Sequence, residues 1–188
     1  FGHLLLAEYC REQASLDEIW FVPAAVPPHK QERTMTADKH RVEMLRLAIG
    51  GHEQFTLCTQ ETERGGVYYT YETLEQVQQE RPEDELFFLM GADSLADLPT
   101  WRKPERVCQL AIPVVVGRPG SPPIDFHLLQ KLVSEERLHK IRQNGVTMPL
   151  IGLSSTDIRA RVQLGKSVRY QMPAAVAKYI ETHGLYRR

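Results

Sequence analysis

Cysteine is scarce in this sequence, long apolar runs are missing, and neither sign of charge is in surplus. Cys10, Cys58 and Cys108 are the only cysteines among 188 residues. Their odd number and wide separation exclude a dense disulfide framework, and no Cys-x-x-Cys or Cys/His cluster has metal-site spacing. They read as buried thiols in a reducing compartment. No apolar stretch approaches the roughly 18–20 residues that cross a bilayer as a helix. Leu4–Leu6 is too short for a signal-peptide core and no cationic stretch precedes it, so the expected location is the cytoplasm. Lys and Arg total 23 against 24 Asp and Glu, a formal net charge of −1. A general nucleic-acid binder, which carries a basic excess, is thereby disfavoured, although a local basic patch is compatible with that balance.

What is present is a 42 % apolar chain of a size that forms one compact α/β domain. Five short apolar stretches read as strands: EIWFVP (18–23), FTLCTQ (55–60), ELFFLM (85–90), IPVVVG (112–117) and MPLIG (148–152). Near-continuous apolarity suits strands covered on both faces, as in a parallel sheet. Amphipathic stretches lie between them. ADKHRVEMLRLAIGG carries Val42, Leu45, Ala48 and Ile49 on one face and stops at Gly50-Gly51. YETLEQVQQERP ends before Pro82, and KPERVCQLA places Pro104 in its first turn. IDFHLLQKLVSEERLHKIRQNG reads as one long helical stretch punctuated by Asn144-Gly145, and MPAAVAKYIETHG closes at Gly184. This alternation predicts a doubly wound, Rossmann-like parallel sheet with flanking helices. The Gly- and Pro-rich segment 117–123 reads as its most flexible loop.

Ligands of such sheets sit at the carboxyl ends of the strands, so the residues just after each strand come next. After EIWFVP, three prolines stiffen a loop that presents His29 and Lys30; Lys30 is either a solvated surface lysine or a phosphate-binding cation. After ELFFLM comes Gly91, which permits close approach of a ligand or an unusual turn, and Asp93 or Ser94 is positioned to cap a short helix. Trp101 follows, to stack on an aromatic ring or to fill the core. Arg118 stands at the next strand end, a residue type suited to bidentate phosphate or carboxylate recognition. Most informative is GLSSTDIRARV. Ser154 and Asp157 form an S-x-x-D cap, Ser155 and Thr156 fall in the first helical turn, and Arg159 lies about one turn on. First-turn amides and the helix dipole favour an anion there, and a guanidinium adds full charge beside it.

Taken in order, GHLLLAE, EIWFVPAAVPPHK, HRVEMLRLAI, YYTYETL, FFLMGADSL, LPTW, GRPG, SSTDIR and YIETHGLY make the whole chain resemble the bacterial nicotinate mononucleotide adenylyltransferases of the nucleotidyltransferase superfamily. That superfamily is marked by HxGH and SSTxIR motifs. Phe1-Gly2-His3 resembles the tail of the first, so His3 matches its second histidine, and the resemblance implies a strand, a glycine-rich turn and the first histidine upstream of Phe1. It implies a single nucleotidyltransferase domain over residues 1–188, with a helical part from about 153 onward carrying SSTDIR.

The implied reaction transfers AMP from ATP to nicotinate mononucleotide, giving deamido-NAD and pyrophosphate. The implied ATP site comprises Gly2, His3, Lys30, Ser155, Thr156 and Arg159, with His3 and Arg159 acting directly on the phosphates. On the acceptor side stand Tyr69 and Thr70 beside the carboxylate, Trp101 on the pyridine ring, Asp93 on the nucleotide, and Arg118. Mg2+ is expected on the substrate phosphates rather than on a protein ligand. Neither nucleic acid nor a membrane is implied as a partner, and a homo-oligomer is left open. Two other readings stand beside this one. They are a sister enzyme acting on nicotinamide mononucleotide or phosphopantetheine, and a non-catalytic nucleotide-binding module.

Overall fold

The computed structural model describes residues 1–25, 36–117 and 124–187. In chain order its elements are α1 (Gly2–Gln13), β1 (Ile19–Phe21), α2 (Asp38–Ile49), β2 (Phe55–Leu57), α3 (Gln60–Arg64), α4 (Thr70–Glu80), β3 (Leu86–Gly91), α5 (Ala92–Asp97), α6 (Pro104–Leu110), β4 (Ala111–Gly117), α7 (Glu135–Gln143), β5 (Val146–Thr147), α8 (Ser155–Gln163) and α9 (Ala174–Thr182). Short 3-10 helices cover Leu98–Thr100 and Phe126–Leu129. The chain gathers into two compact units. One holds Phe1–Leu5, Asp17–Gly66 and Ile151–Arg188; the other holds Leu6–Leu16 and Val67–Leu150.

In the first unit β1 and β2 pair in parallel, Ile19 opposite Phe55 and Phe21 opposite Leu57. Helix α2 connects them and ends where the sequence predicts, with Gly51 taking a φ of +88° that a side chain would resist. Val162 of α8, Met172, and Val176 and Ile180 of α9 form a small core to which α2 adds Met44, Leu47 and Ala48. Near that core Nδ1 of His40 lies 2.9 Å from the Tyr179 hydroxyl, and its ring centroid is 5.2 Å from that of His183. Partial burial, then the charge of Lys39 and the neighbouring His183, push the His40 pKa below its ordinary 6.5. The folded chain therefore holds this proton less tightly than the unfolded one, so the stabilisation is present above pH 6.5 and fades as the pH falls through and below it. Between pH 7.5 and 5.5 the melting temperature of the unmutated chain should fall more than that of His40→Gln, compared by thermal melts in matched buffers.

In the second unit β4 lies between β3 and β5, all parallel, with Leu86 opposite Ala111 and Val116 opposite Val146. Six successive residues of β4, Ala111–Val116, are buried, which explains a run without alternation. Pro113 is accommodated because β5 pairs only with Val116 and Gly117, so β4 has a single described strand neighbour at Phe88. Leu95, Leu98, Val107, Ile112, Val115, Leu129, Leu138 and Ile141 close the core around this strand.

Parallel strands with flanking helices agree with the α/β, Rossmann-like expectation. Cys10, Cys58 and Cys108 are buried, as the sequence suggests, and burial pushes the thiols of Cys10 and Cys108 up to about 11. Two local expectations are corrected. MPLIG is not a strand: the last strand is Val146–Thr147, and Pro149, which has no N–H for a ladder, follows two residues later. The stretch 124–145 is not one helix either. Asp125 caps the 3-10 helix by accepting from the His127 N–H, and Ser134 starts α7 afresh by accepting from the Arg137 N–H. Segment 117–123 lies outside the described residues beyond Gly117.

Candidate functional site

The first unit brings two helix N-termini together. At α8, Ser154 has an extended backbone, its Oγ accepts the Asp157 N–H at 3.0 Å, and its hydroxyl donates to the Asp157 carboxylate at 2.7 Å. This cap ties up the amide of the third helical residue and leaves those of Ser155 and Thr156 without an intrahelical acceptor. Both side chains are exposed, as is Arg159, whose Nη2 donates to Thr156 Oγ1 over a long 3.4 Å. Two hydroxyls, two outward amides and a guanidinium thus share one helical turn, the donor set an anion requires.

Helix α1 begins beside this turn. A Cβ added to Gly2 would lie 4.0 Å from the Leu153 carbonyl oxygen, one residue before the Ser154 cap. His3, exposed, sits in the first turn of α1. Gly2, His3, Ser155, Thr156 and Arg159 are therefore carried by two neighbouring helix starts within one unit.

The second unit holds the aromatic candidates. Tyr69 precedes α4, and its N–H donates to the Glu72 carboxylate at 3.1 Å, a capping interaction that fixes where Thr70 begins the helix. Trp101, half-buried, follows the 3-10 helix and meets Phe88 edge-on, with ring centroids 5.8 Å apart and planes at 84°. It packs on the core and keeps part of its surface in solvent. Asp93 and Ser94 do not cap α5, contrary to expectation. Gly91 occupies the cap position with φ −78° and ψ 165°, and Asp93 lies exposed in the first turn. The chain passes from strand to helix without an intervening residue, which moves the cap two positions earlier. Among the described residues nothing lies within 4 Å of a Cβ added to Gly91, so the space in front of this strand end is open. Lys30 and Arg118 lie outside the described residues.

Two residues beside these were not anticipated. Nη1 of Arg102 donates to the Tyr69 hydroxyl at 3.4 Å, with the guanidinium carbon 4.7 Å from the ring centroid. The Lys103 ammonium lies 4.3 Å from the centroid of Tyr71, and the two tyrosine rings stack at 6.3 Å. The available signal was a basic pair directly after the tryptophan in LPTWRK.

The chain matches the family model described as cytidylyltransferase-like over residues 1–161. A Thermomicrobium roseum protein named "Probable nicotinate-nucleotide adenylyltransferase" is 42 % identical across 99 % of this chain and 85 % of its own length. A protein of the same name from Thermus thermophilus is 41 % identical across 99 % of this chain and 92 % of its own. Among solved structures, Plasmodium falciparum nicotinic acid mononucleotide adenylyltransferase complexed with NaAD aligns with a TM-score of 0.71 at 16 % identity, covering 98 % of this chain and 90 % of that one. That likeness concerns the fold. Identity of this extent with full-length relatives places the chain in the nicotinate-nucleotide adenylyltransferase family, within the cytidylyltransferase-like group.

Proposed function

We propose that this chain transfers the adenylyl group of ATP to nicotinate mononucleotide, forming nicotinate adenine dinucleotide and pyrophosphate in a reducing, cytoplasmic setting. The observation that carries the reading is the capped start of α8, with Ser155, Thr156 and Arg159 on one exposed turn beside the start of α1. The relatives' shared name supplies the acceptor.

The chemistry suits such residues. The acceptor phosphate is already ionised near neutral pH, so its oxygen attacks the α-phosphorus without a general base. The bond from the α-phosphorus to the bridging oxygen breaks, and pyrophosphate leaves with that electron pair. What the protein must supply is alignment of two polyanions and compensation of charge on the leaving group. Ser155 and Thr156 receive the β- and γ-phosphates through first-turn amides and hydroxyls, and Arg159 neutralises charge as pyrophosphate departs. His3, backed by the first-turn amides at Gly2, faces the α- and β-phosphates. Lys30 adds a further cation. On the acceptor side Thr70 and Tyr69 take the carboxylate end, Trp101 stacks on the pyridine ring, Asp93 accepts from a ribose hydroxyl, and Arg118 contributes charge.

Mg2+ fits this scheme as a companion of the triphosphate. Hydroxyls, amides, imidazole and guanidinium make an anion site rather than a cage of oxygen anions, so phosphate oxygens and water would be its ligands. Bound there, it would neutralise charge on the phosphates.

Incubating the chain with ATP and a panel of phosphorylated acceptors tests the proposal. Dinucleotide and pyrophosphate should form fastest with nicotinate mononucleotide; faster turnover of phosphopantetheine, or none with any acceptor, would overturn it. A second expectation concerns Trp101→Ala. Loss of a ring stack is worth about 1–3 kcal/mol, so the acceptor KM should rise roughly 5- to 150-fold with a much smaller change for ATP. Steady-state kinetics checks this, and an unchanged acceptor KM would reduce Trp101 to a packing residue.

A further inference from the structure

A cleft of about 430 Å3 opens in the second unit, lined by Cys108 and Gln109 at the end of α6, by the turn from Lys131 to Ser134 and by Arg137 of α7. Cys108 and Gln109 directly precede β4, so the cleft lies at the amino end of that strand. Ligands of parallel sheets occupy the carboxyl ends, and none of the residues assigned above to ATP or to the acceptor lines this cleft. Its lining holds two cations and no carboxylate. Glu135 and Glu136, exposed in the first turn of α7, are not part of it.

The two cations are held rather than neutralised. Nη2 of Arg137 donates to the Gln109 carbonyl at 3.1 Å, a bond that fixes the guanidinium and leaves its charge uncompensated. Its Nε is buried and has no hydrogen-bond partner among the described residues. Lys131 is exposed, and among the described residues neither cation forms an ion pair. Burial, outweighing the opposed charges of Arg137 and Glu105, pushes the Cys108 thiol up to about 11, so the sulfur stays neutral and offsets neither cation. A partly desolvated guanidinium short of an acceptor costs free energy, which an anion in the cleft would return. Leu132 and Val133, half-buried, add an apolar wall to the same space.

We propose that this cleft binds an organic phosphomonoester, its dianionic head on Lys131 and Arg137 and its body against Leu132 and Val133. Two uncompensated cations are balanced by a dianion and only half balanced by a carboxylate. The guanidinium fork suits phosphate oxygens, and Ser134, whose Oγ accepts the Arg137 N–H at 3.3 Å, keeps its hydroxyl proton to donate. The volume falls in the range of small-molecule sites and exceeds what a bare phosphate fills. The proposal is independent of adenylyl transfer.

The test titrates the 15N-labelled chain with phenyl phosphate at low salt and pH 8, well above the second phosphate pKa of about 6. The amides of Cys108, Gln109, Leu132, Val133 and Ser134 should shift and saturate, with a Kd of about 1 mM or tighter. Inorganic phosphate, lacking the body, and benzoate, lacking the second charge, should each bind at the same amides at least severalfold more weakly. Lys131→Met should raise the Kd up to about 5-fold, the scale of one exposed charge pair. Arg137→Met should raise it about 10-fold or more, the scale of a hydrogen bond to a charged group, and Arg137→Lys should recover part of that. Because Arg137 also caps α6, the Lys131 variant keeps the test decisive if Arg137→Met unfolds. Shifts that fail to saturate, that appear only at the starts of α1 and α8, that are matched by benzoate, or that survive Lys131→Met unchanged would overturn the assignment.

Discussion

Arg159→Ala should lower adenylyl transfer by about 10²- to 10³-fold while leaving the fold intact, the scale for removing one preorganised donor to developing charge. The reasoning has two halves. Structurally Arg159 is exposed, and its hydrogen bond to Thr156 at 3.4 Å is long, so its removal should cost little stability. Chemically it is a full positive charge on the same turn as the amides of Ser155 and Thr156, where a leaving pyrophosphate would gather charge. Arg159→Lys should recover part of the loss, because an ammonium keeps the charge but not the planar fork. Circular dichroism and a thermal melt establish the fold, and pyrophosphate release gives the rate. Turnover within a few-fold of the unmutated chain would remove Arg159 from the phosphate site.

The second large effect is on stability. Ile112→Ala should destabilise the chain by about 2–5 kcal/mol, seen as a lower urea midpoint. Ile112 is completely buried in β4 opposite Phe87, among Leu95, Leu98, Val107 and Ile141. A close-packed site of this kind cannot collapse fully around the missing methyl groups, so a cavity penalty adds to the lost burial. Leu150→Ala is the control. That side chain is 70 % exposed, and its loss should change stability by less than about 0.5 kcal/mol. Equal effects of the two substitutions would mean that β4 is not the centre of its unit.

The contrast between these residues shows why much of the fold could be read beforehand. IPVVVG announces itself because both its faces are buried, and a continuous apolar run is the direct signature of that environment. Helix α2 could be bounded because Gly50-Gly51 follows its apolar face, and α6 because Pro104 opens it. The failures have equally local causes. Val146–Thr147 is too short for a periodic signal, and MPLIG, more apolar, drew the assignment although its proline suits a ladder poorly. The break between the 3-10 helix and α7 depends on two caps, Asp125 and Ser134, set inside a stretch whose amphipathic rhythm continues across them.

At the candidate site the legible part was the part encoded locally. Ser154 through Arg159 fall within two helical turns, so spacing alone puts the cap and the donors together. The approach of Gly2 to Leu153 joins residues about 150 positions apart, and only the family resemblance anticipated it. The pairing of Arg102 with Tyr69 spans 33 positions and left no periodic trace, which is why the two cations beside the tyrosines were passed over.

The most direct measurement is a crystal structure of the chain with a non-hydrolysable ATP analogue. The β- and γ-phosphate oxygens should lie about 2.7–3.2 Å from the amides of Ser155 and Thr156 and from the Arg159 guanidinium, with His3 on the phosphates nearer the sugar. A triphosphate bound elsewhere, with the start of α8 left facing solvent, would contradict the assignment of these two helix termini to phosphate binding.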